Sequence, residues 1–298
     1  MHPALLLFPD FATIVIGLLL HRFMKFGPKF WKGLERLGYF VLFPALLFAA
    51  LVKTKIDFAA TAPLLLTGVV ILIVGILLAF AVRPMLHITP LAFASRFQCA
   101  FRFNSYIGIA VAGKLYGEAG IAIMGILIGC MIPLGNIAAV AMLARYGKAN
   151  LWRELVTNPL IIATAAGLLW NIYGPPIPIY VQDLFARLSQ AAVSIGLLAV
   201  GAALQWTFRA GSLLAEACFL AIKLLALPLA AWIAGPLLGL HGKSLHIAVV
   251  FAALPTAPTA YILAARMGGD KAGVAALITA GTLLAAFTIP MWIAFVIK

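Results

Sequence analysis

Asn104-Ser105-Tyr106-Ile107-Gly108 and Pro255-Thr256-Ala257-Pro258 each interrupt a long apolar run with residues that spoil a helix. The two interruptions occupy matching positions in the two halves of the chain. Paired, interrupted apolar segments are the pattern that marks the substrate site of a secondary transporter. Backbone released from helical hydrogen bonding cannot face lipid, so here it has to line a cavity or lie inside protein.

The surrounding composition fits a membrane setting. Hydrophobic residues make up 65% of the chain and charged residues 10%, with a mean hydropathy of +1.13. Soluble domains carry about a quarter charged residues. The net charge of +13 does not indicate nucleic acid, because the basic residues sit in loops between apolar runs. That distribution is the positive-inside pattern of an integral membrane protein. Cys99, Cys130 and Cys218 all lie within apolar stretches and read as reduced packing residues without metal spacing. No cofactor is expected.

The hydrophobic pattern predicts an all-α integral membrane protein with about ten spanning helices of roughly 20 residues each. They are segment one Ala4–His21, two Gly38–Val52, three Ala62–Val82, four Leu91–Leu115 (broken near Asn104) and five Ala119–Ala144. After a short basic loop, Arg145–Val156, come six Asn158–Tyr173, seven Leu184–Trp206 and eight Leu213–Leu238. Segment nine is Leu245–Arg266, broken near Pro255, and ten is Ala272–Ile297. The first segment lacks a basic leader and a cleavage site, so it reads as a span rather than a signal.

Charge sets the expected orientation. Arg22, Lys25, Lys29, Lys32, Arg36, Arg83, Arg145, Lys148, Arg153, Arg209, Arg266 and Lys271 fall on one side. Lys53, Lys55, Lys114, Arg187, Lys243 and Lys298 fall on the side of the termini. Twelve against six predicts both termini outside and the central loop in the cytoplasm. Five segments per half is an odd number, so two similar halves, 1–150 and 151–298, have to be inverted relative to each other. Lys114-x-x-Gly117-Glu118-Ala119-Gly120 leaves segment four, and Arg266-x-x-Gly269-Asp270-Lys271-Ala272-Gly273 leaves segment nine. Ten residues before Lys114 stands Asn104, and ten before Arg266 stands Thr256, so the breaks fall in register.

A helix that restarts after a break presents amides without partners and a partial positive charge. Two such N-termini facing each other favour an anion without a charged side chain. Pro255 and Pro258 free nearby carbonyls, and Asn104 and Ser105 supply an amide and a hydroxyl. Asn104 either caps its half-helix or touches the ligand, and one residue can do both. Gly108, Thr256 and Ala257 lie within the two breaks. Arg102, two residues before Asn104, either snorkels to headgroups or steers an anion, whereas Arg96 and Lys223 read as snorkelling. Asn136, three residues after Pro133, could reach the crossing or pack at a kink. No acidic residue falls near the middle of a segment, which argues against a cationic substrate. Sodium held by carbonyls, Asn104, Thr256 or Gln98 is the remaining cation reading. The five histidines show no metal spacing.

The chain resembles the auxin efflux carrier family, which includes bacterial organic-acid permeases and the plant PIN-FORMED auxin exporters. The carrying stretches are Phe43-Pro44-Ala45-Leu46-Leu47-Phe48, Phe101 through Ile109, Asn158-Pro159-Leu160, and Leu254-Pro255 through Ala265. The resemblance implies a fold related to bile-acid symporters and sodium–proton antiporters. It also implies a scaffold of segments one, two, six and seven that dimerises in relatives, and a transport domain of segments three to five and eight to ten that moves like an elevator. Substrate would sit where segments four and nine cross, with Asn104 matching the family's first crossing and Pro255 lying in the second. Relatives often carry proline just after the Ile-Gly pattern, where this chain has Ala110. The short central loop fits a bacterial type, in the inner membrane.

These readings converge on a carrier of a small organic anion, a mono- or dicarboxylate or an auxin-like acid. A sodium-coupled symporter of the bile-acid type is the alternative within transport. An intramembrane enzyme is the distant one, since the chain has no paired aspartates and no Gly-x-Ser-x-Gly elbow.

Overall fold

The computed structural model describes residues 3–24, 26–53, 58–145, 159–204 and 213–297, and every regular element within them is helical. The helices are α1 (Pro3–Phe23), α2 (Pro28–Leu37), α3 (Phe43–Lys53), α4 (Phe58–Val82), α5 (Pro90–Phe97) and α6 (Ser105–Ala144). They continue as α7 (Pro159–Tyr173), α8 (Ile179–Ala202), α9 (Leu213–Ala221), α10 (Leu227–Leu237), α11 (Gly242–Ala253), α12 (Thr259–Arg266) and α13 (Lys271–Val296). Single π-turns, Gly38–Leu42 and Ile222–Ala226, join α2 to α3 and α9 to α10.

Five stretches are long and apolar enough to cross a membrane: Thr61–Met85, Pro90–Ala144, Ile179–Ala202, Leu213–Leu237 and Lys271–Val296. Large apolar side chains such as Leu66, Ile73, Leu77 and Phe287 are exposed on their outer faces, as lipid-facing residues are. Between helices in lipid the hydrophobic effect supplies little, and small residues that let backbones approach take its place. α1 packs along α8, and α3 along α7. A Cβ on Gly17 would overlap the Leu198 carbonyl, and one on Gly201 would overlap that of Ile14. At Gly167 an added Cβ would stand 2.9 Å from Leu51 Cβ.

The boundary between segments four and five falls where the sequence puts it: the run Ser105–Ala144 is two helices that part at Tyr116 and Gly117, both outside helical geometry. Gly117 takes φ 58°, a left-handed conformation that glycine adopts at no steric cost. Other boundaries differ from the sequence reading. Segment seven starts at Ile179 instead of Leu184, because Pro178 at its N-cap ends the extended Gly174–Pro178 stretch. Segment nine starts at Gly242 instead of Leu245. The basic stretch after α1, expected to be loop, contains α2: Lys29, Lys32 and Arg36 share this amphipathic helix with Trp31, which is buried among the rings of His21, Phe26 and Phe30. Such a helix lies along the membrane surface. Most of the basic central loop, together with Asn158, Gln205 and Trp206, lies outside the described residues.

Candidate functional site

Both interruptions are present. After α5 the chain tightens into a 3-10 turn at Gln98–Ala100, runs non-helically through Phe101–Asn104, and restarts as α6. After α11 it is non-helical from Leu254 to Ala257 and restarts as α12 at Thr259. The contacts between the two segments step in opposite directions, Cys99 to Thr256, Gln98 to Ala260 and Ser95 to Asp270, so the segments run antiparallel and cross at their breaks.

The crossing is tied by backbone and side-chain bonds together. The Asn104 amide N–H donates to the Pro255 carbonyl at 2.8 Å. Thr256 Oγ1 donates to the Cys99 carbonyl at 3.0 Å. Gln98, fully buried, donates from Nε2 to the carbonyls of Ser95 (3.0 Å) and Ala260 (3.2 Å). Its Oε1 accepts from Arg102 Nη1 at 2.8 Å, and Arg102 Nη2 donates to Thr259 Oγ1 at 3.2 Å. Arg102 therefore bridges the two breaks instead of snorkelling, Gln98 Oε1 already accepts within the protein, and Thr256 Oγ1 spends its proton on the Cys99 carbonyl.

Asn104 is the N-cap of α6. Its Oδ1 accepts from the amides of Tyr106 (3.1 Å) and Ile107 (3.4 Å), two of the donors a helix start leaves over. The residue is 1% exposed, and its Nδ2 has no hydrogen-bond partner. A buried amide that keeps its donor group unpaired costs about 1–3 kcal/mol unless a ligand or water takes it up. Ser105, half-buried, stands beside it at the start of α6.

The other expected site residues separate by role. Gly108 serves the crossing itself: a Cβ there would stand 2.7 Å from Leu254 Cδ1 and 3.3 Å from Met124 Sδ. Pro255 is buried and supplies the bridging carbonyl, whereas Ala257 and Pro258 accept the first helical bonds, from Ala260 and Tyr261. Asn136 makes no hydrogen bond to the crossing among the described residues; its neighbour Gly135 faces the Phe101 ring. Ala110 sits in unbroken helix, buried. Tyr106 stacks on Phe43 with centroids 4.3 Å apart, which carries the crossing onto α3, and Gly196 of α8 leaves the room for that stack.

Two charged residues expected at headgroups are buried. Arg96, 4% exposed, forks onto Asp270 Oδ2 through Nε (3.1 Å) and Nη2 (2.8 Å). Asp270 also caps α13 at the Gly273 amide, and its own amide donates to Ser95 Oγ. Lys223, 3% exposed, donates to the Ala252 carbonyl at 2.7 Å. At the far end of the crossing, Tyr116 hydrogen-bonds His246, with Lys243 Nζ 5.7 Å from the Tyr116 ring. Both ends of the crossing are thus clamped by side-chain pairs. Antiparallel register was the missing signal, since it brings a residue before one break to a residue after the other. Among the described residues, no group of three His, Cys, Asp or Glu side chains could hold a metal.

The arrangement combines helix starts, an unpaired amide donor and a nearby guanidinium, and the carboxylate at its edge, that of Asp270, is paired with Arg96. It suits a small anion. The family comparison agrees with a transport role. A sequence model described as "Membrane transport protein" matches residues 142–293. A protein of Rhizobium meliloti described as "Putative malonate transporter" is 27% identical over 300 residues, covering 95% of this chain and 92% of the relative. An uncharacterized transporter of Methanothermobacter thermautotrophicus is 23% identical over 289 residues, covering 94% of each. Auxin efflux carrier component 3a of Oryza sativa subsp. japonica is 29% identical over 140 residues, which span 45% of this chain and 23% of the plant protein. The chain belongs to the membrane transport protein family that includes the auxin efflux carriers.

Proposed function

We propose that this membrane transporter carries a small organic anion, a mono- or dicarboxylate, bound at the crossing of the two broken segments. The observation that carries the reading is the Nδ2 of Asn104, buried and unpartnered beside a helix start. Its two hydrogens suit a carboxylate, with the α6 dipole and Arg102 adding positive potential. The full-length similarity to the Rhizobium protein makes malonate the first acid to try.

The carrier is further read as two inverted repeats of five segments, 1–150 and 151–298, giving ten spans. Reciprocal pairing supports this: α1 of the first half packs on α8 of the second, while α7 of the second packs on α3 of the first. These four helices form the proposed scaffold, through which two copies would pair, and the crossing would move against it as an elevator. The Phe43–Tyr106 stack lies on that sliding contact. Basic-residue asymmetry puts both termini outside, in a bacterial inner membrane.

The test is a panel of carboxylates, malonate first, applied to proteoliposomes on a solid-supported membrane, with tracer counterflow run alongside to detect electroneutral exchange. Saturable movement of at least one acid, lost in Asn104→Ala, is the expected result. A panel silent in both assays, or Asn104→Ala transporting like wild type, rejects the reading.

A further inference from the structure

Lys223 is absent from the anion site described above, yet it is the more unusual charge. It sits near the middle of the Leu213–Leu237 stretch, inside the π-turn Ile222–Ala226, and is 3% exposed. π-turns inserted in membrane helices are frequent at functional sites. Trp292 Nε1 donates to the Leu224 carbonyl (2.9 Å) and so secures the turn's widened backbone. The two ion pairs within the described residues are Arg96–Asp270 and Lys114–Asp10, and Lys223 belongs to neither. What Nζ meets is the Ala252 carbonyl, in the last turn of α11 just before the second break.

That carbonyl belongs to a particular class of group. The last carbonyls of a helix have no helical donor and carry partial negative charge. In carriers with broken helices, such half-helix ends are where a coupling cation is held. Here three carbonyls close to the crossing already have donors: Cys99 receives Thr256 Oγ1, Pro255 receives the Asn104 amide, and Phe251 receives the Leu254 amide. Gln98 Oε1, a further oxygen suited to a cation, receives Arg102.

We propose that the Lys223 ammonium is a built-in cation, standing at the carbonyl end of the second half-helix in the place of a coupling sodium ion, so that the carrier works without sodium. The proposal rests on the crossing as the substrate site, but its test needs no substrate. Removing the ammonium opens a pocket lined by the Ala252 carbonyl to a small cation from solution.

The experiment is thermal unfolding of the full chain in detergent, at equal ionic strength in sodium, methylammonium or choline chloride. Wild type is expected to melt at one temperature in all three. Lys223→Ala is expected to melt lower in choline and to recover by about 2 °C or more in sodium or methylammonium. Wild type stabilised by sodium over choline overturns the proposal, as does a Lys223→Ala protein indifferent to the cation. Where Lys223→Ala does not fold, Lys223→Arg and Lys223→Met decide: stability kept by arginine and lost by methionine supports the built-in charge, and methionine matching wild type refutes it. Because the readout is melting, these outcomes stay separate from the transport phenotype of Asn104 variants.

Discussion

Asn104→Ser separates the two roles that Asn104 combines. Serine ranks with asparagine as an N-cap, so its hydroxyl can take over the Tyr106 and Ile107 amides that Oδ1 now accepts. What it removes is the Nδ2 group, which is buried and unpaired in this structure. A hydrogen bond to a charged partner contributes about 1.5–3 kcal/mol. Its loss therefore weakens the half-saturation concentration for a carboxylate by about 10- to 150-fold, at roughly 1.4 kcal/mol per factor of ten. Stability moves little, since the cap survives. Asn104→Ala is the contrast: it loses the donor and the cap together, and the missing cap costs about 1 kcal/mol, or about 2 °C in melting temperature. The assay is concentration-dependent tracer counterflow in proteoliposomes, with detergent melting curves on the same preparations. A serine variant that folds and keeps the wild-type half-saturation would show that Nδ2 does not meet the substrate, and Asn104 would then be a cap alone.

Two further perturbations address the frame around the site. Arg96→Ala leaves the half-buried Asp270 without its fork and is expected to cost about 1–3 kcal/mol in detergent unfolding; Arg96→Lys recovers only part, because an ammonium cannot reproduce the bidentate geometry. Gly196→Ala places a Cβ 2.6 Å from Phe43 Cζ, pushes the ring off its Tyr106 stack, and is expected to lower both melting temperature and transport, at about 1–3 kcal/mol for the overpacking. Gly27→Ala, which meets nothing within 4 Å, serves as the control that leaves both unchanged.

The breaks were legible because membrane physics forbids idle ones. Asn104 and Pro255 stand where no lipid-facing helix would tolerate them, and their register in the two halves was countable from Lys114 and Arg266. The partners of Arg96 and Lys223 were not legible. A basic residue in an apolar run looks the same whether it snorkels or is buried, and only its neighbours in space decide. Asp270 read as a loop acid because its relation to Arg96 runs across 174 residues. The amphipathic α2 was missed for a different reason: its lysines read as marking an inside loop, and charge says nothing about helicity. Segment ends slipped where Pro178 and Gly242, rather than hydropathy, set the helix start.

These corrections bear on mechanism in one direction. A site that binds an anion by dipoles and an amide needs those dipoles held still, since a donor displaced by an ångström loses most of its bond. The crossing meets that need with bonds drawn from both broken segments: Asn104 to Pro255, Thr256 to Cys99, Gln98 to Ala260 and Arg102 to Thr259. The Arg96–Asp270 fork and the Tyr116–His246 bond then lock each end of one segment to the opposite end of the other. A crossing braced in this way resists opening between its own halves. The cheaper motion leaves it whole and breaks the contacts at its border, where the Phe43–Tyr106 stack and the single ion pair between α1 and α6, Asp10 with Lys114, are the principal side-chain ties seen in the described residues. Where the hydrogen bonds are spent supports the proposed elevator, in which an intact site is displaced as a rigid body.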